Sequence, residues 1–415
     1  MLRLIALLCT AVWLGGMLPA AAETAADRFA PKRGFSTDIW VQWMNTHDLV
    51  TTPGFLDIYP DYPRTLPAGA FAKLRAQGFD TVRIAADPSP LLALAGTARE
   101  AGLLTNLRQR VLEAQAAGLK VVLDLHTYPH AGDVGDIDGI LASTAKFAAY
   151  LRMVAKVAAK IADLNPDITA FEVMNEPTQD CDAIHSDPTK SDWPAKLKRL
   201  HDTARNAAPK LPLVLSGACW GGSKGLSVLD PAPLADDNVL WSFHTYDPFI
   251  FTHQGASWTN SIQMFLMGLP FPPSRVTDAI QGKAVTAARV RAAASTNPLA
   301  AQATRPALRQ MVMDYRQGPS DAISASITEA TTWADARGIP HSRLFLGEFG
   351  ALWVDDAGSR MDPGSHNRFL SAKRLAAEAA GVGWAVWSFS GNFGITDQKA
   401  RLYPGVCIAL GMDKC

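Results

Sequence analysis

Short apolar runs alternate regularly with longer helical patterns along this chain, and this alternation constrains the fold more than any other feature. Each run is rich in β-branched or aromatic residues and spans six to eight positions. Repeated βα units predict a parallel sheet, and eight of them predict a closed (β/α)₈ barrel, the TIM barrel of the α/β class. An open, doubly wound sheet is the structural alternative. The candidate strands are 34–41, 80–86, 120–126, 169–175, 212–217, 239–246, 343–349 and 383–389.

The helical patterns between these strands end in a consistent way. Several stop at a glycine that leads directly into the next strand, namely Gly78, Gly118, Gly338 and Gly381. Glycine suits the left-handed backbone that commonly follows a helix, so these positions predict helix ends. The candidate helices lie near 67–78, 105–118, 143–163, 192–208, 320–338 and 365–381.

One segment breaks the alternation. Residues 247–319 separate the sixth strand from the next helix and contain Pro270, Pro272, Pro273 and Pro298 and an alanine-rich stretch. A connection of this length usually has a function or its own structure. We therefore predict one catalytic domain over 23–415, with an insertion at 247–319 that carries one or two helices at the mouth of the barrel.

The N-terminus has the features of an export signal. Arg3 precedes an apolar run, and Ala20, Ala21 and Ala22 form a small-residue cleavage site, so we predict a signal peptide over 1–22. An uncleaved membrane anchor is the alternative. After cleavage the protein would be secreted or periplasmic, with no stable association with the membrane.

Four cysteines would remain in the mature chain. An even number in an exported protein predicts disulfides, and four cysteines allow three connectivities. Cys407 and Cys415 are close in sequence, which favours Cys181–Cys219 and Cys407–Cys415. The spacing does not resemble a zinc site, whose ligands usually come in close pairs.

The stretch FEVMNEP at 171–177 places a carboxylate at the end of a buried strand. Phe171, Val173 and Met174 are apolar, and then Asn175 and Glu176 come directly before Pro177. Proline cannot donate to a sheet ladder and favours an extended residue before it. Glu176 is therefore expected at a strand tip, either in a pocket or in a salt bridge.

Other candidate strands also end in polar or aromatic side chains. In a barrel the C-terminal ends of the strands carry the catalytic residues, so this clustering predicts one site. A single histidine or arginine is usually structural, but packing alone does not explain polar groups at so many strand ends. The residues are Arg83, Asp124, His126, His244, Tyr246, Glu348 and Trp387.

Two glutamates across a barrel mouth suit glycoside hydrolysis. That reaction uses one protonated carboxyl group and one ionised carboxylate on either side of the glycosidic bond. Arg83 would keep one of them ionised, since a nearby cation lowers the pKa of a carboxyl group. Gly347 and Gly350 flank Glu348 and are expected to leave space for a sugar.

These residues carry a family resemblance. The chain resembles the cellulase family 5 of glycoside hydrolases over residues 34–390, most specifically in Asn-Glu-Pro at 175–177 and Gly-Glu-Phe-Gly at 347–350. The resemblance implies a retaining mechanism with Glu176 as the general acid/base and Glu348 as the nucleophile. It also implies that Asn175 binds the 2-hydroxyl of the sugar and that Trp387 stacks under the sugar. Arg83 and Tyr246 would support the nucleophile. His126 and His244 would line the pocket.

Further residues invite a role in or near the pocket. Glu172 lies four residues before Glu176 and is read as a buried ion-pair partner rather than a second pocket carboxylate. Asp247 is read as a loop cap rather than a substrate contact. Trp220, Trp258 and Trp353 fall in or just after strand-end loops, where aromatic rings can stack on sugars, and we expect Trp258 to form a wall of the cleft.

We predict an endo-acting β-1,4-glucanase that binds a β-linked polysaccharide or oligosaccharide, functions as a monomer and needs no cofactor or metal. Mannan, β-1,3-glucan or a bacterial exopolysaccharide are alternative substrates, because specificity depends on loop shape. A non-catalytic sugar-binding barrel and a metal-dependent hydrolase with His126, His130 and Asp133 are alternatives of a different class. Lys+Arg and Asp+Glu balance at 39 each, which argues against a nucleic-acid partner.

Overall fold

The computed structural model of the protein describes residues 23–37, 66–129, 133–355 and 358–415. The predicted signal peptide, the end of the first candidate strand beyond 37, and His130 lie outside these ranges. Among the helices in the described ranges, none is both long enough and apolar enough to cross a membrane.

The eight predicted strands are all present and form a closed parallel barrel in chain order, which confirms the predicted fold class. The first strand closes the barrel by pairing with both the second and the eighth. An open sheet is thereby excluded. The strands are β1 (Arg33–Thr37), β2 (Thr81–Ala86), β3 (Lys120–Leu125), β4 (Thr169–Glu172), β5 (Leu213–Ser216), β6 (Val239–His244), β7 (Leu344–Phe349) and β8 (Gly383–Val386).

Helices surround the barrel and connect its strands. Gly78, Gly118, Gly338 and Gly381 all have a positive φ, between 64° and 125°, as expected for helix ends that lead into strands. The described α-helices are α1 (Ala25–Phe29), α2 (Ala70–Gln77), α3 (Ser89–Ala93), α4 (Ala98–Ala116), α5 (Ile137–Ala142), α6 (Thr144–Ile161), α7 (Cys181–Ser186), α8 (Trp193–Ala207), α9 (Ser223–Ser227), α10 (Phe249–Thr252), α11 (Asp278–Ala294), α12 (Arg305–Arg316), α13 (Ala325–Asp335), α14 (Pro363–Ala379) and α15 (Pro404–Ala409).

The helix α1 closes the N-terminal end of the barrel. Its Ala26 and Phe29 are fully buried among apolar side chains that point inward from six strands. Asp27 forms an ion pair with Arg343, whose Nε lies 2.6 Å from Oδ1. Because Ala26, Phe29 and the strand side chains around them are apolar, the barrel interior is apolar at this end. The inward-facing strand residues are Val122, Ala170, Val214, Leu240, Phe345 and Ala385.

The segment 247–319 has its own secondary structure. It contains α10, several 3₁₀ turns and the two longer helices α11 and α12. Gln281 on α11 donates a hydrogen bond to the carbonyl of Arg309 on α12, which joins these two helices. Tyr315 on α12 donates to the carbonyl of Pro270, so the proline-rich stretch packs against the same unit.

Both predicted disulfides are present. Cys181, the first residue of α7, is linked over 38 positions to Cys219 in the loop after β5, with Cα atoms 4.6 Å apart. Cys407 and Cys415 close a short loop at the C-terminal end of the chain, with Cα atoms 5.6 Å apart. The connectivity that sequence proximity favoured is therefore confirmed.

Candidate active site

The strand register brings three charged side chains to one layer of the barrel interior. Arg83 pairs with Val122, whose side chain points inward, so Arg83 points inward as well. Two residues later on β3, Asp124 pairs with Glu172 on β4. All three residues are buried, with exposed fractions of 0–2%. On β3 the inward-facing side chains thus change from the apolar Val122 to the charged Asp124 within two residues, toward the C-terminal ends of the strands.

Arg83 is the centre of this layer. Its Nε and Nη2 donate to the two carboxylate oxygens of Glu172, at 2.6 and 3.1 Å. Nη2 also lies 2.9 Å from Asp124, and Nη1 donates to Oε1 of Glu348 at 2.7 Å. Glu172 is therefore a buried ion-pair partner, as predicted. One planar guanidinium group binds carboxylates from three strands, which suits the fixed fork of arginine donors.

Asn175 is held on both sides of its amide. Nη2 of Arg83 donates to its Oδ1 at 2.7 Å, and its Nδ2 donates to the carbonyl of Thr127 at 3.0 Å. The Thr127 hydroxyl in turn donates to the carbonyl of Asn175 at 2.7 Å. The Asn175 side chain is buried, and these contacts leave one amide hydrogen of Nδ2 for a further acceptor.

Glu348 accepts a strong donor on each carboxylate oxygen. Arg83 donates to Oε1, and the Tyr246 hydroxyl donates to Oε2 at 2.7 Å. Both contacts are typical of an ionised carboxylate, because charge-assisted hydrogen bonds favour the charged acceptor. Arg83 and Tyr246 therefore lie where the sequence prediction put them, against Glu348.

The glycines beside Glu348 have a different role from the predicted one. A Cβ on Gly347 would lie 2.5 Å from the Ser242 hydroxyl and 2.9 Å from Nε2 of His244, and a Cβ on Gly350 would lie 2.2 Å from the carbonyl of Trp387. The space at both positions is thus filled by the protein itself. The expectation that these glycines leave room for a sugar is wrong, because they make room for neighbouring strands and for His244.

Glu176 has a different environment from Glu348. Its backbone has φ of 36°, and its carboxyl group contacts the imidazole of His244, with 2.8 Å between Oε1 and Nδ1. Burial raises the pKa of Glu176 to about 7. Burial also lowers the pKa of His244 to about 4, so this imidazole is neutral near pH 7. Glu176 therefore faces a neutral partner, whereas Glu348 faces a cation.

His126 is oriented by a carboxylate and covers an aromatic ring. Its Nδ1 lies 2.7 Å from Oδ2 of Asp124, and burial lowers the pKa of the His126 imidazole. Burial raises the pKa of Asp124 to about 7 against the opposing charge of Arg83, and in its ionised form Asp124 accepts the Nδ1 hydrogen, which leaves Nε2 as an acceptor. The ring stacks on Trp387 with centroids 5.0 Å apart and planes 7° apart. One face of the indole that was predicted to bind a sugar is thus occupied by His126.

A cavity of about 380 Å³ opens above these residues at the C-terminal end of the barrel. Arg83, Asn175 and His244 are buried below its wall, with exposed fractions of 0–6%. Trp258, 53% exposed, reaches the cavity from the insertion, as predicted. The lining residues are His126, Glu176, Tyr246, His253, Trp258, Glu348, Trp387, Ser388, Asn392 and Phe393.

Four of these lining residues were not predicted: His253, Ser388, Asn392 and Phe393. His253 belongs to the insertion and packs edge-on against Tyr246 with ring centroids 4.9 Å apart. Phe393 follows β8 and lies 5.8 Å from the Tyr246 ring and 6.3 Å from the Trp258 ring. The aromatic HQGASW and GNFG stretches of the sequence were the available signals, but only the folded loops bring them together.

The two glutamates face each other across the cavity. A carboxylate oxygen of Glu176, one of Glu348 and a nitrogen of His244 all lie within 4.8 Å of one another. Within this set His244 contacts Glu176, while Arg83 and Tyr246 donate to the two oxygens of Glu348. In the alternative metal set, Nδ1 of His126 is bound to Asp124, and Asp133 accepts from the backbone of Gly135.

The remaining predicted candidates lie outside this cavity wall. Trp220 is 47% exposed on the loop after β5, whereas Trp353 is buried near His366. Asp247 is exposed, and its carboxylate accepts a hydrogen bond from Ser326 at 3.3 Å. The contact with Ser326 agrees with the loop role that the sequence predicted for Asp247.

Comparisons with known proteins are consistent with this geometry. Endoglucanase 3 of Fibrobacter succinogenes is 26% identical over 299 residues, which cover 71% of this chain and 40% of that protein. Cellodextrinase A of Ruminococcus flavefaciens is 28% identical over 191 residues, which cover 45% of this chain and 52% of that protein. The chain thus spans about half or less of the length of these two relatives.

Solved structures share the fold. Endoglucanase Cel5A of Thermotoga maritima superposes with a TM-score of 0.62 at 19% identity, covering 93% of this chain and 99% of that chain. Cellulose synthase subunit Z of Clostridioides difficile gives a TM-score of 0.62 at 18% identity over 92% and 99%. The sequence model of Cellulase (glycosyl hydrolase family 5) matches residues 37–393, most of the chain. This protein therefore belongs to the cellulase family, glycosyl hydrolase family 5.

Proposed function

We propose that this protein is a retaining endo-β-1,4-glucanase in which Glu348 is the nucleophile and Glu176 is the general acid/base. The contrast between the two carboxyl groups carries the proposal. Glu348 is bound by a guanidinium group and a phenol, whereas Glu176 contacts a neutral imidazole and burial raises its pKa to about 7. Two carboxyl groups whose environments differ in this way are suited to divide the acid and nucleophile roles.

The separation of the carboxyl groups supports double displacement. Retaining enzymes place the two groups about 5–5.5 Å apart, whereas inverting enzymes need about 6.5–9.5 Å to admit a water molecule. Here a pair of carboxylate oxygens lies within 4.8 Å, which is nearer to the retaining separation than to the inverting one. In the first step Glu348 attacks the anomeric carbon while Glu176 protonates the leaving oxygen. Water activated by Glu176 then releases the sugar from Glu348.

His244 helps to direct the catalytic proton. With the hydrogen of its neutral imidazole on Nδ1, His244 donates to Oε1 of Glu176. The carboxyl proton of Glu176 is then on Oε2, free to face the glycosidic oxygen. Asn175 has one remaining amide hydrogen for a sugar hydroxyl, and His126 offers Nε2 as an acceptor at the cavity wall. Trp387, Trp258 and Phe393 supply aromatic surface for the sugar rings.

Alanine variants with azide rescue test the assignment. Glu176→Ala is expected to lower kcat/KM on cello-oligosaccharides by roughly 10²–10⁴-fold, the usual worth of general acid catalysis, with little loss on an activated aryl glycoside. Azide should rescue it and yield the β-configured glycosyl azide. Glu348→Ala should be inactive on both substrates, and azide should give the α-configured product. Glu113→Ala is the matched control, because Glu113 lies on α4 outside the cavity, with a side chain that is 37% exposed and paired with Arg110.

The stereochemistry of the azide products, read by NMR, decides between the roles. Exchanged configurations would mean that the acid/base and the nucleophile are the other way round. Full activity of both variants on a β-glycan would place the active site elsewhere, whereas binding without hydrolysis by the wild-type protein would favour a non-catalytic sugar-binding barrel.

A panel of glycans tests the substrate. The relatives named above are called endoglucanases or a cellodextrinase, and Cel5A of Thermotoga maritima has been solved with cellobiose and with mannotriose. We expect turnover of soluble β-1,4-glucan, with a fall in viscosity that precedes most of the release of reducing ends. Faster turnover of mannan or β-1,3-glucan would reassign the substrate but keep the chemistry.

We further propose that the mature chain acts outside the cytoplasm. Two disulfides within the described residues support an oxidising compartment. Thiol titration of the exported, folded protein should find no free thiol. A measured mass that corresponds to a chain starting at Glu23 would establish cleavage after Ala22. Export with residues 1–22 retained would instead indicate a membrane anchor.

A further inference from the structure

The loop that follows Glu176 is tied to the loop after β5 at three neighbouring points. The backbone N–H of Trp220 donates to the carbonyl of Pro177 at 2.9 Å, and that of Cys219 donates to the carbonyl of Gln179 at 3.1 Å. The Cys181–Cys219 disulfide lies directly beside these two hydrogen bonds. The chain beyond Glu176 is therefore fixed to the second loop by both hydrogen bonds and a covalent link.

The second loop has an unusual backbone. Cys219, Trp220 and Gly221 have φ angles of 57°, 63° and 62°, so three successive residues are left-handed and two of them are not glycine. L-residues other than glycine avoid this region because Cβ approaches the backbone. Such strained turns persist where the surroundings hold them, and they cluster at functional sites.

The left-handed turn leads back to the catalytic glutamate. The carbonyl of Gly221 accepts a hydrogen bond from the backbone N–H of His244 at 2.9 Å. The imidazole of the same histidine contacts Oε1 of Glu176 at 2.8 Å. The contacts thus form a closed ring from Glu176, through the loop after it, across the disulfide to the left-handed turn, and through His244 back to Glu176.

We propose that the Cys181–Cys219 disulfide is a positioning cross-link for acid catalysis, which holds the left-handed turn so that His244 and the Glu176 carboxyl group keep their relative geometry. The inference rests on the proposed acid/base role of Glu176. Glu348 accepts hydrogen bonds from Arg83 and Tyr246, which do not belong to this ring, while Nδ1 of His244 lies 3.7 Å from its Oε2, beyond hydrogen-bond distance. Loss of the disulfide should therefore impair proton transfer more than nucleophilic attack.

Two double variants of the full chain provide matched tests. Cys181→Ala/Cys219→Ala removes the cross-link of the ring, and Cys407→Ala/Cys415→Ala removes the other disulfide, which lies at the C-terminus. We expect the first variant to lose roughly 10- to 100-fold in kcat/KM on cello-oligosaccharides, the size expected for a small misplacement of a catalytic group. On an activated aryl cellobioside, whose leaving group needs little protonation, it should lose less than about threefold. The control should change neither value.

The pH profile separates positioning from a general loss of structure. The kcat/KM profile reports the ionisation of groups in the free enzyme. A loosened Glu176 carboxyl group would gain solvent and so titrate at lower pH. The alkaline limb of the first variant should shift toward lower pH by a measurable fraction of a unit, while that of the control should stay in place. Equal losses on both substrates with an unshifted limb would overturn the proposal.

A second route covers the case in which the double variant does not fold. Folded Cys407→Ala/Cys415→Ala protein can be treated with dithiothreitol, so that the exposure of two new thiols reports reduction of Cys181–Cys219 alone. The same substrate-selective loss is expected, with recovery after reoxidation. Unchanged kcat/KM after reduction would refute the positioning role. The Glu176→Ala experiment tests the proposed function independently of the disulfide. If that variant loses equal kcat/KM on cello-oligosaccharides and on an activated aryl glycoside, the proposed function fails.

Discussion

At the scale of single residues, the site depends on one buried cation. Arg83 is fully buried and contacts the carboxylates of Asp124, Glu172 and Glu348. A buried charge that loses its partner is very costly, whereas the intact pair adds little net stability compared with apolar residues. The reason to keep such a cluster is thus the fixed position of Glu348, and its removal should affect both folding and chemistry.

Arg83→Met is expected to destabilise the protein by about 3–5 kcal/mol, because three buried carboxylates would lose their cation. Arg83→Lys should recover part of this stability, since it keeps the charge, but it should remain slow because lysine lacks the planar fork. Urea unfolding and kcat measured on the same samples check both effects.

The surface pair of Arg108 and Asp163 provides the control for this prediction. Asp163 is largely exposed, and Arg108 binds it through two donors. Arg108→Met should cost less than about 1 kcal/mol and leave kcat unchanged. Equal costs at the two arginines would contradict the view that burial determines the effect.

The pH dependence of activity should follow Glu176. Its pKa is raised to about 7 by burial, and the first chemical step needs the protonated form. Activity on cello-oligosaccharides should therefore be retained below pH 7 and fall as the pH rises through about 7. With an activated aryl glycoside the same limb should be weaker, because the leaving group needs less protonation. A limb centred near pH 4.5 would mean that burial does not tune Glu176.

The sequence indicated most of the charged site but not all of its surroundings. Asn175, Glu176 and Glu348 could be predicted because Asn-Glu-Pro and Gly-Glu-Phe-Gly end apolar strands. The contacts of Arg83 with three carboxylates could not be predicted, because only the barrel register shows that Asp124 faces the same interior as Glu172. His253 and Phe393 could not be predicted because they reach the cavity from loops of irregular structure.

At the scale of secondary-structure elements, most strands end earlier than the apolar pattern suggests. β4 was expected over 169–175 but ends at Glu172. Val173 and Met174 are buried like strand residues, yet they lie outside the ladder, and the backbone N–H of Asn175 donates to the carbonyl of Leu125. An apolar sequence indicates which residues are buried, but it does not show whether their backbone is hydrogen-bonded to a neighbouring strand.

Gly347 tests how closely the strands pack at the site. Gly347→Ala would place Cβ 2.5 Å from the Ser242 hydroxyl and 2.9 Å from Nε2 of His244. We expect a loss of about 1–3 kcal/mol in unfolding free energy, typical of overpacking, together with a lower kcat because His244 must move away from Glu176. Thermal unfolding and steady-state kinetics measure both.

Gly282 is the matched glycine for this test. It is exposed in the middle of α11, and a Cβ there would have no neighbour within 4 Å. Gly282→Ala should stabilise the protein by up to about 1 kcal/mol, since alanine favours a helix over glycine, and should leave kcat unchanged. If Gly347→Ala behaved like Gly282→Ala, the close packing of His244 against β7 would be irrelevant to the site.

At the scale of the whole molecule, the barrel has two ends with separate tasks. Phe29 on α1 closes the N-terminal end among apolar side chains, whereas the charged layer and the cavity occupy the C-terminal end. On β7 the change from the apolar end to the charged layer takes three residues, from Phe345 to Glu348, or about 10 Å of strand. A barrel that places stability at one end and chemistry at the other can lose one without the other.

Phe29→Ala should separate the two properties. The side chain is fully buried, and its truncation leaves a cavity that the surrounding strands can fill only partly, so we expect a loss of about 3–5 kcal/mol in unfolding free energy. In the temperature range where the variant stays folded, kcat and KM should match those of the wild-type protein, because Arg83, Glu176 and Glu348 keep their contacts. Ile408→Ala, which truncates a side chain that is 71% exposed, should change neither property. A fall in kcat in folded Phe29→Ala protein would show instead that packing at the N-terminal end sets the geometry of the catalytic layer.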